Sequence, residues 1–448
     1  MTLMDVLMDF SYLSILMVLA YWMRRKIKIL QIWFIPVALI AGALGLLLGP
    51  QVLGKVSPIY LPHSDSLGQW TGVLSCIVFS CSFLGQKLEK TTGGAVQTYF
   101  LAGTIHQMQV VVGLSIAFLL SFIIPGIPVG FGILPVLGFY GGHGLAIPAG
   151  QIFDDAGYMT GGSDVAATFA TIGILSGIIG GMIIINRAAR AGKTTIGMKP
   201  DEMPKNELIG YDEPDSRKPI GKGVSVSSAL DPLASQLMMV GFTITCGYLI
   251  RNVFLKISDF WSKVPLFAFC LMFSLVFTLL TNKNKRVMDM MDRPTINRIS
   301  GAALEYMIVA NLCLTNTSIF VTWGIPMLLE SIAMIFVTYW LCFVLGKVIL
   351  HRNGQFETGI GLFGQSCGNL QTGLMLQKVV DPDAKTNGAI NITTSSTLGY
   401  SFQLQYTVIF MTLVMSRPLF TYVYSWLLLA LLCGLGIFFG RRAHAKGE

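Results

Sequence analysis

Apolar stretches long enough to cross a bilayer, roughly 18–25 residues each, recur from end to end of this 448-residue chain. That recurrence leaves few folds open. Inside hydrocarbon every backbone N–H and C=O must find a partner within its own segment or around a closed barrel. The alternating pattern of membrane barrel strands is absent, so the spans are expected to be helices. Charged residues are only 12% of the chain and the mean hydropathy is +0.66, which excludes a soluble domain of this length. Candidate spans lie near 6–22, 29–48, 68–86, 97–124 and 162–186, then 229–252, 264–281, 299–320, 325–350, 386–415 and 419–440. Ten or eleven crossings are expected. Two further regions, about 129–157 and 355–383, are apolar but broken by Gly and Pro. The first apolar stretch lacks a basic leader and a small-x-small cleavage site, and is expected to be a retained span.

The net charge of +8 does not point to nucleic acid, because the basic residues form short clusters between spans. With the N-terminus outside, the C-terminus cytoplasmic and both broken regions folded back as hairpins, 26 of the 31 Lys and Arg residues fall on the inner side. Only Lys55, Arg251, Lys256, Lys263 and Arg417 fall outside. This is the positive-inside distribution. The polar stretch 188–228, with Pro204, Pro214 and Pro219, reads as a cytoplasmic linker. It separates an N-terminal repeat (1–187) from a C-terminal repeat (229–415), and 416–448 adds a further span and tail. Each half then has five spans with a broken hairpin before the fifth. An odd number of crossings precedes the linker, so the halves are expected to be inverted: an all-α membrane protein of two inverted five-helix repeats, each with a re-entrant hairpin.

The hairpins carry the sequence's chemistry. The first contains Gly138-Phe139-Tyr140-Gly141-Gly142-His143-Gly144 and ends at Asp154-Asp155; the second contains Gly361-Leu362-Phe363-Gly364-Gln365-Ser366-Cys367-Gly368 and ends at Asp381-Pro382-Asp383. Aligning Gly138 with Gly361 also matches Gly141 with Gly364. Paired Gly-rich breaks in two inverted halves mark a transporter site, since freed N–H groups suit an anion and freed carbonyls a cation. The plain alternative is close helix packing through small residues; two matched breaks weigh against it. A polar segment follows each hairpin: Ser163, Asp164, Thr168 and Thr171 after the first; Asn391, Thr393, Thr394, Ser395, Ser396, Thr397, Gln403 and Gln405 after the second. Ser163 and Asp164 suit helix capping and Na⁺ binding equally well. Ser163, Asp164, Thr168 and Thr393 are the candidate Na⁺ ligands. Gly141, Gly142, His143, Gly144, Gln365, Ser366, Cys367, Gly368, Asn391 and Thr394 are the candidate substrate contacts. His106, Gln107, Gln109, Glu305, Asn311 and Glu330 are the remaining polar residues at depth, with Glu305 and Glu330 placed near span ends. The eight Cys show neither a disulfide framework nor metal spacing.

Gly141-Gly142-His143-Gly144, the run from Ser163-Asp164 through Leu175, and Gly177–Gly181 resemble the bacterial sodium/glutamate symporter family, and Cys367-Gly368 is the clearest shared piece of the second half. The resemblance covers roughly residues 30–415. It implies Na⁺-coupled uptake of glutamate or a related small carboxylate, re-entrant loops, a bacterial inner-membrane location and a homodimer. The chain departs from the family at Gln365-Ser366 and Asn369-Leu370-Gln371-Thr372, where a more Gly-rich loop is expected. It departs again at Gln403, where an acidic residue is expected, and in the added last span. A proton- or sodium-coupled carrier of a hydroxy- or dicarboxylate, and a channel built on broken half-helices, are the competing readings. No His-Glu-x-x-His, no Gly-x-Ser-x-Gly and no paired carboxylates on one span support an enzyme.

Overall fold

The computed structural model describes residues 3–445 except 33–34, 63, 65, 87–92, 192–218, 220, 258–260, 262–263, 353, 382–385 and 405–409. Among these every regular element is helical. We label the principal helices α1 (Leu3–Lys26), α2 (Val37–Leu48), α3 (Trp70–Ser80), α4 (Gly93–Ile123), α5 (Leu134–Asp155), α6 (Gly162–Arg190), α7 (Pro232–Leu255), α8 (Leu266–Thr281), α9 (Arg293–Leu314), α10 (Ile319–Trp340), α11 (Gln355–Cys367), α12 (Leu370–Val380), α13 (Gly388–Leu404) and α14 (Pro418–Ala445). Eight helical segments are long and apolar enough to cross a membrane, one of them the broken segment Val129–Asp155. The expectation of ten or eleven spans differs for local reasons. Helices α3 and α8 fall short of full span length, α9 carries Arg293, Arg298 and Glu305, and the described residues of the polar 386–415 region include α13 and a short helix at Met411–Ser416.

The chain forms two compact units, and each draws on both halves of the sequence. One comprises Met1–Ile27, Pro36–Glu89 and Gly210–Asn316; the other comprises Lys28–Ile35, Lys90–Ile209 and Thr317–Glu448. In the first unit α3 stops early because the chain turns at Cys81–Gly85, where Gly85 has a positive φ of 68°. The carbonyls this turn frees need donors. Arg293 supplies them, its guanidinium donating to the carbonyls of Cys81 (2.6 Å), Leu84 (2.8 Å) and Ser82 (2.9 Å). Ser274 Oγ donates to Ser80 O and Thr278 Oγ1 to Phe83 O, both at 2.9 Å. A short helix is thus completed by side chains from α8 and α9. At its other end Asp9, buried on α1, accepts from Ser64 Oγ, Ser66 Oγ and Trp70 Nε1.

In the second unit α6 is the spine, and both broken segments pack along it. Helix α14 lies antiparallel on α4. Phe100 stacks on Phe439 at 5.3 Å, Gln107 Nε2 donates to Ser425 O at 3.2 Å, and the Ser115 and Tyr422 hydroxyls pair at 3.0 Å. The added last helix therefore covers a face of α4 within this unit.

Candidate functional site

The first broken segment doubles back. Gly130 N–H donates to the Tyr158 hydroxyl (3.1 Å), and Gly130 also lies against the Phe153 ring. An unbroken helix would separate residues 130 and 153 by roughly 35 Å at ~1.5 Å per residue. Instead Gly138 packs on Phe169–Ala170 of α6 and Gly150 on Gly162, so the two arms of α5 run in opposite directions along one helix. The reversal is at Gly142, with φ 59° and ψ −164°, a region essentially reserved for glycine. Pro148 follows in the second arm and has no N–H, so the Gly144 carbonyl loses its intrahelical donor.

The second broken segment reverses at Gly368-Asn369, between α11 and α12. Gly361 and Gly364 face Gly373 across the two arms. The Asn369 side chain closes its own helix, accepting from Thr372 N (2.9 Å) and Thr372 Oγ1 (3.1 Å). The turn therefore comes three residues beyond Gln365, which the glycine alignment sets opposite Gly142. The structural match is Gly138 and Gly142 with Gly364 and Gly368. Either pairing preserves a glycine spacing, so the sequence does not decide between them.

The two reversals meet. A Cβ on Gly142 would stand 3.2 Å from Gly368 O and 3.7 Å from Asn369 Cβ. Beside them Gly173 of α6 lets the backbone approach Cys367 O and Phe139 closely. Around this meeting point His143 Nε2 pairs with Thr171 Oγ1 (3.0 Å), and the Gln365 amide reaches the Tyr140 hydroxyl at 3.5 Å. Tyr140 stands edge-on to the His106 ring, 4.5 Å between centroids. Gln109 Nε2 donates to Thr338 Oγ1 (2.8 Å) and to Ser366 O (3.0 Å). Four buried polar atoms here have no hydrogen-bond partner: His143 Nδ1, Gln365 Oε1, Ser366 Oγ and Gln109 Oε1. Each such atom costs about 1–3 kcal/mol if left unmet. Buried polar groups are nearly always satisfied, so a cluster of unmet ones is poised for a polar ligand. The cluster mixes donors with acceptors, and Gly142, which precedes the second arm, has no side chain with which to cap it.

Of the remaining expected contacts, Gly141 and Gly144 flank the first reversal, and Gln365, Ser366, Cys367 and Gly368 end α11 at the second. Asn391 is buried with its amide against Gly94 of α4, and Thr394 is half-buried one turn along α13. Ser163 and Asp164 stand at the start of α6, more than two turns from Gly173, and Thr168 lies about one and a half turns from it. Asp154 caps that start by accepting from Gly162 N (2.7 Å) and Ser163 N (2.8 Å), while Thr168 Oγ1 donates to Asp164 O. Thr393 is exposed and donates to Ala389 O. Among the described residues no cluster of three or more His, Cys, Asp and Glu could hold a metal ion. At the second hairpin's exit Asp381 accepts from Thr386 N and Oγ1 (2.8 and 2.6 Å), so both acidic exits serve as clasps. Asp383, Gln405 and the side chains of Thr397 and Gln403 lie outside the described residues.

Residue-by-residue reading missed Tyr140, Gln109, Thr338 and Asn369 as members of this cluster. Gln109 had a signal, a polar residue deep in an apolar span; Thr338 and Tyr140 had none. Glu330 differs from its expected place near a span end. Helix α10 begins at Ile319 and its span runs on to Ile349, so Glu330 lies well inside and is fully buried, whereas Glu305 is exposed on α9.

No curated protein and no solved structure matches the chain. A family model described as sodium/glutamate symporter matches residues 2–360, which takes in the whole first hairpin and stops before the second reversal. The chain is a multi-pass membrane protein and belongs to the sodium/glutamate symporter family, a family of transporters and not of enzymes.

Proposed function

We propose that the chain couples Na⁺ entry to the uptake of glutamate, or of a closely related small carboxylate, with the substrate held where the two reversals meet. The observation that carries this reading is the cluster of unmet buried polar atoms between Gly142 and Gly368, in a chain of the sodium/glutamate symporter family. A helix start at His143, preceded by a glycine with no capping side chain, suits a carboxylate, because helix N-terminal N–H groups and the dipole favour an anion. Gln365 Oε1, Gln109 Oε1 and the freed Gly144 carbonyl are acceptors, suited to an ammonium group or a hard cation. The reading extends to two inverted repeats, with Asp154 and Asp155 reached from outside and Asp381 and Asp383 from the cytoplasm. Alternating access then moves the shared site between faces of a bacterial inner membrane, in a homodimer, and the effects of Na⁺ and substrate on each other's binding must be reciprocal.

Calorimetry of L-glutamate binding to the purified protein in NaCl and in KCl tests the sodium claim. Tighter binding in Na⁺ is expected; equal affinity in the two salts removes it. Cysteine labelling in intact cells tests the topology, and both acidic exits labelling from one side would overturn the inverted arrangement.

A further inference from the structure

Among the described residues nothing neutralises the buried acid Glu330. Its side chain is 0% exposed, and neither carboxylate oxygen has a hydrogen-bond partner. It shares a face of α10 with Trp323, Met327, Met334 and Thr338, all buried and spaced at three and four residues. Both ends of this face are anchored. Trp323 packs on Phe131 at 5.5 Å and its indole N–H reaches Thr160 O (3.4 Å), while Thr338 accepts from Gln109. Gln109 opposite Thr338 and Gly113 opposite Met334 set an antiparallel register with α4. One turn further it brings Glu330 level with Ala117, itself fully buried. At the N-cap of α6 Gly161 lies against Ile319, and further along α6 Gly177 lies against Cys367, whose neighbour Ser366 shares the Gln109 amide with Thr338. Glu330 is therefore level with the stretch between residues 161 and 177.

The elements packed on α10 are α4, α5 with its preceding turn, α6 and α11. None of residues 93–186, 317–346 or 355–377 is Lys or Arg. Residues 107–123 of α4, 129–139 at the start of the first hairpin and 165–176 of α6 contain no titratable side chain. The titratable groups that flank these stretches are His106, Tyr140, His143, Asp154, Asp155 and Asp164, with Cys367 on α11. His143 already pairs with Thr171. An isolated carboxylate in apolar surroundings is neutralised rather than left charged, and no fixed cation is at hand to do it. A sodium ion would need several oxygen ligands; this face offers indole and thioether groups and two hydroxyls, Ser331, which donates to Met327 O, and Thr338, two turns from Glu330 and already paired with Gln109. The proton is the cation that fits.

From this geometry we propose that Glu330 is a proton-binding site of the transport cycle. In the sealed conformation the proton is covalently on the carboxyl. When the face of α10 opens, that O–H bond breaks, the proton passes to water and a hydrated carboxylate remains; resealing requires a proton to be taken back from water. The inference rests on the alternating-access reading for its cycle, but not for the site.

Infrared difference spectroscopy of the purified full chain tests the site without substrate. A protonated-carboxyl C=O band that disappears as pH rises is expected in the wild type, lost in Glu330→Gln and shifted in frequency in Glu330→Asp. A band unchanged in both variants, or absent from the wild type, overturns the proposal. Na⁺-driven L-glutamate uptake into proteoliposomes supplies the second arm. Between about pH 6 and about pH 8 the wild-type rate should change by about fivefold or more, and that of Glu330→Gln by less than about twofold. Equal pH dependence in the two overturns the cycle role. Absence of any Na⁺-driven glutamate uptake by the wild type counts against the proposed function, while the infrared result still decides Glu330.

Discussion

The two hairpins share a plan and differ at the tip. In the first, the reversal is one glycine, Gly142, in a conformation other residues avoid, and as a glycine it brings no side chain to cap the arm that follows. In the second, Gly368 is followed by Asn369, whose side chain caps its own helix. The first tip has no side chain of its own to cap the arm that follows; the second caps its helix internally and leaves Gln365 Oε1 and Ser366 Oγ unmet among the described residues. The family match follows the same line, covering the first hairpin and ending at residue 360. Under the proposed function the difference is a division of labour: backbone at the first tip for a feature common to anions, side chains at the second for what distinguishes one substrate from another.

The largest expected effect breaks the first tip. Gly142→Ala meets both a glycine-only conformation, worth about 1–3 kcal/mol of strain, and Gly368 O at 3.2 Å. L-Glutamate affinity in Na⁺ should fall roughly tenfold or more. If affinity is unchanged in protein that still folds, the backbone role of the first tip is wrong. Ser366→Ala comes next and sharpens the contrast. Its hydroxyl is fully buried and unmet, so the variant should lose about 1–3 kcal/mol of affinity if a substrate group pairs with that oxygen. The substrate-free melting temperature should not drop, because no protein hydrogen bond is lost. A lower melting temperature with normal affinity would make Ser366 a packing residue. Asn369→Ala should have the smallest effect, about 1 kcal/mol of stability through loss of the cap. Thermal denaturation checks it, with Asn369→Asp expected to retain most of the stability.

Much of this plan was legible before any coordinates. Spans follow from the bilayer's demand on backbone polar groups, and Gly138–Gly144 with Gly361–Gly368 located both breaks. The register of the second break was not legible, because Gly361, Gly364 and Gly368 are evenly spaced enough to serve as packing sites or turn. In the fold the first two face Gly373 and only the last turns the chain. Nor was the sorting of the two acids. Hydropathy gives depth along a helix but not the face a residue occupies, and Glu305 and Glu330 differ in face. The hydroxyls of Thr168 and Thr393, candidate ion ligands by composition, each donate to the carbonyl four residues back, a bond that composition does not reveal and that leaves the oxygen lone pairs free to meet a cation.

The central claim is that both tips hold one ligand. A double-mutant cycle for Na⁺-dependent L-glutamate affinity, built from His143→Ala, Ser366→Ala and the double variant, tests it most directly. The account predicts that each single change weakens binding and that the two are non-additive, with a coupling of about 0.5–3 kcal/mol. Losses that simply add, within about 0.3–0.5 kcal/mol, or single variants that bind as the wild type does, would contradict it.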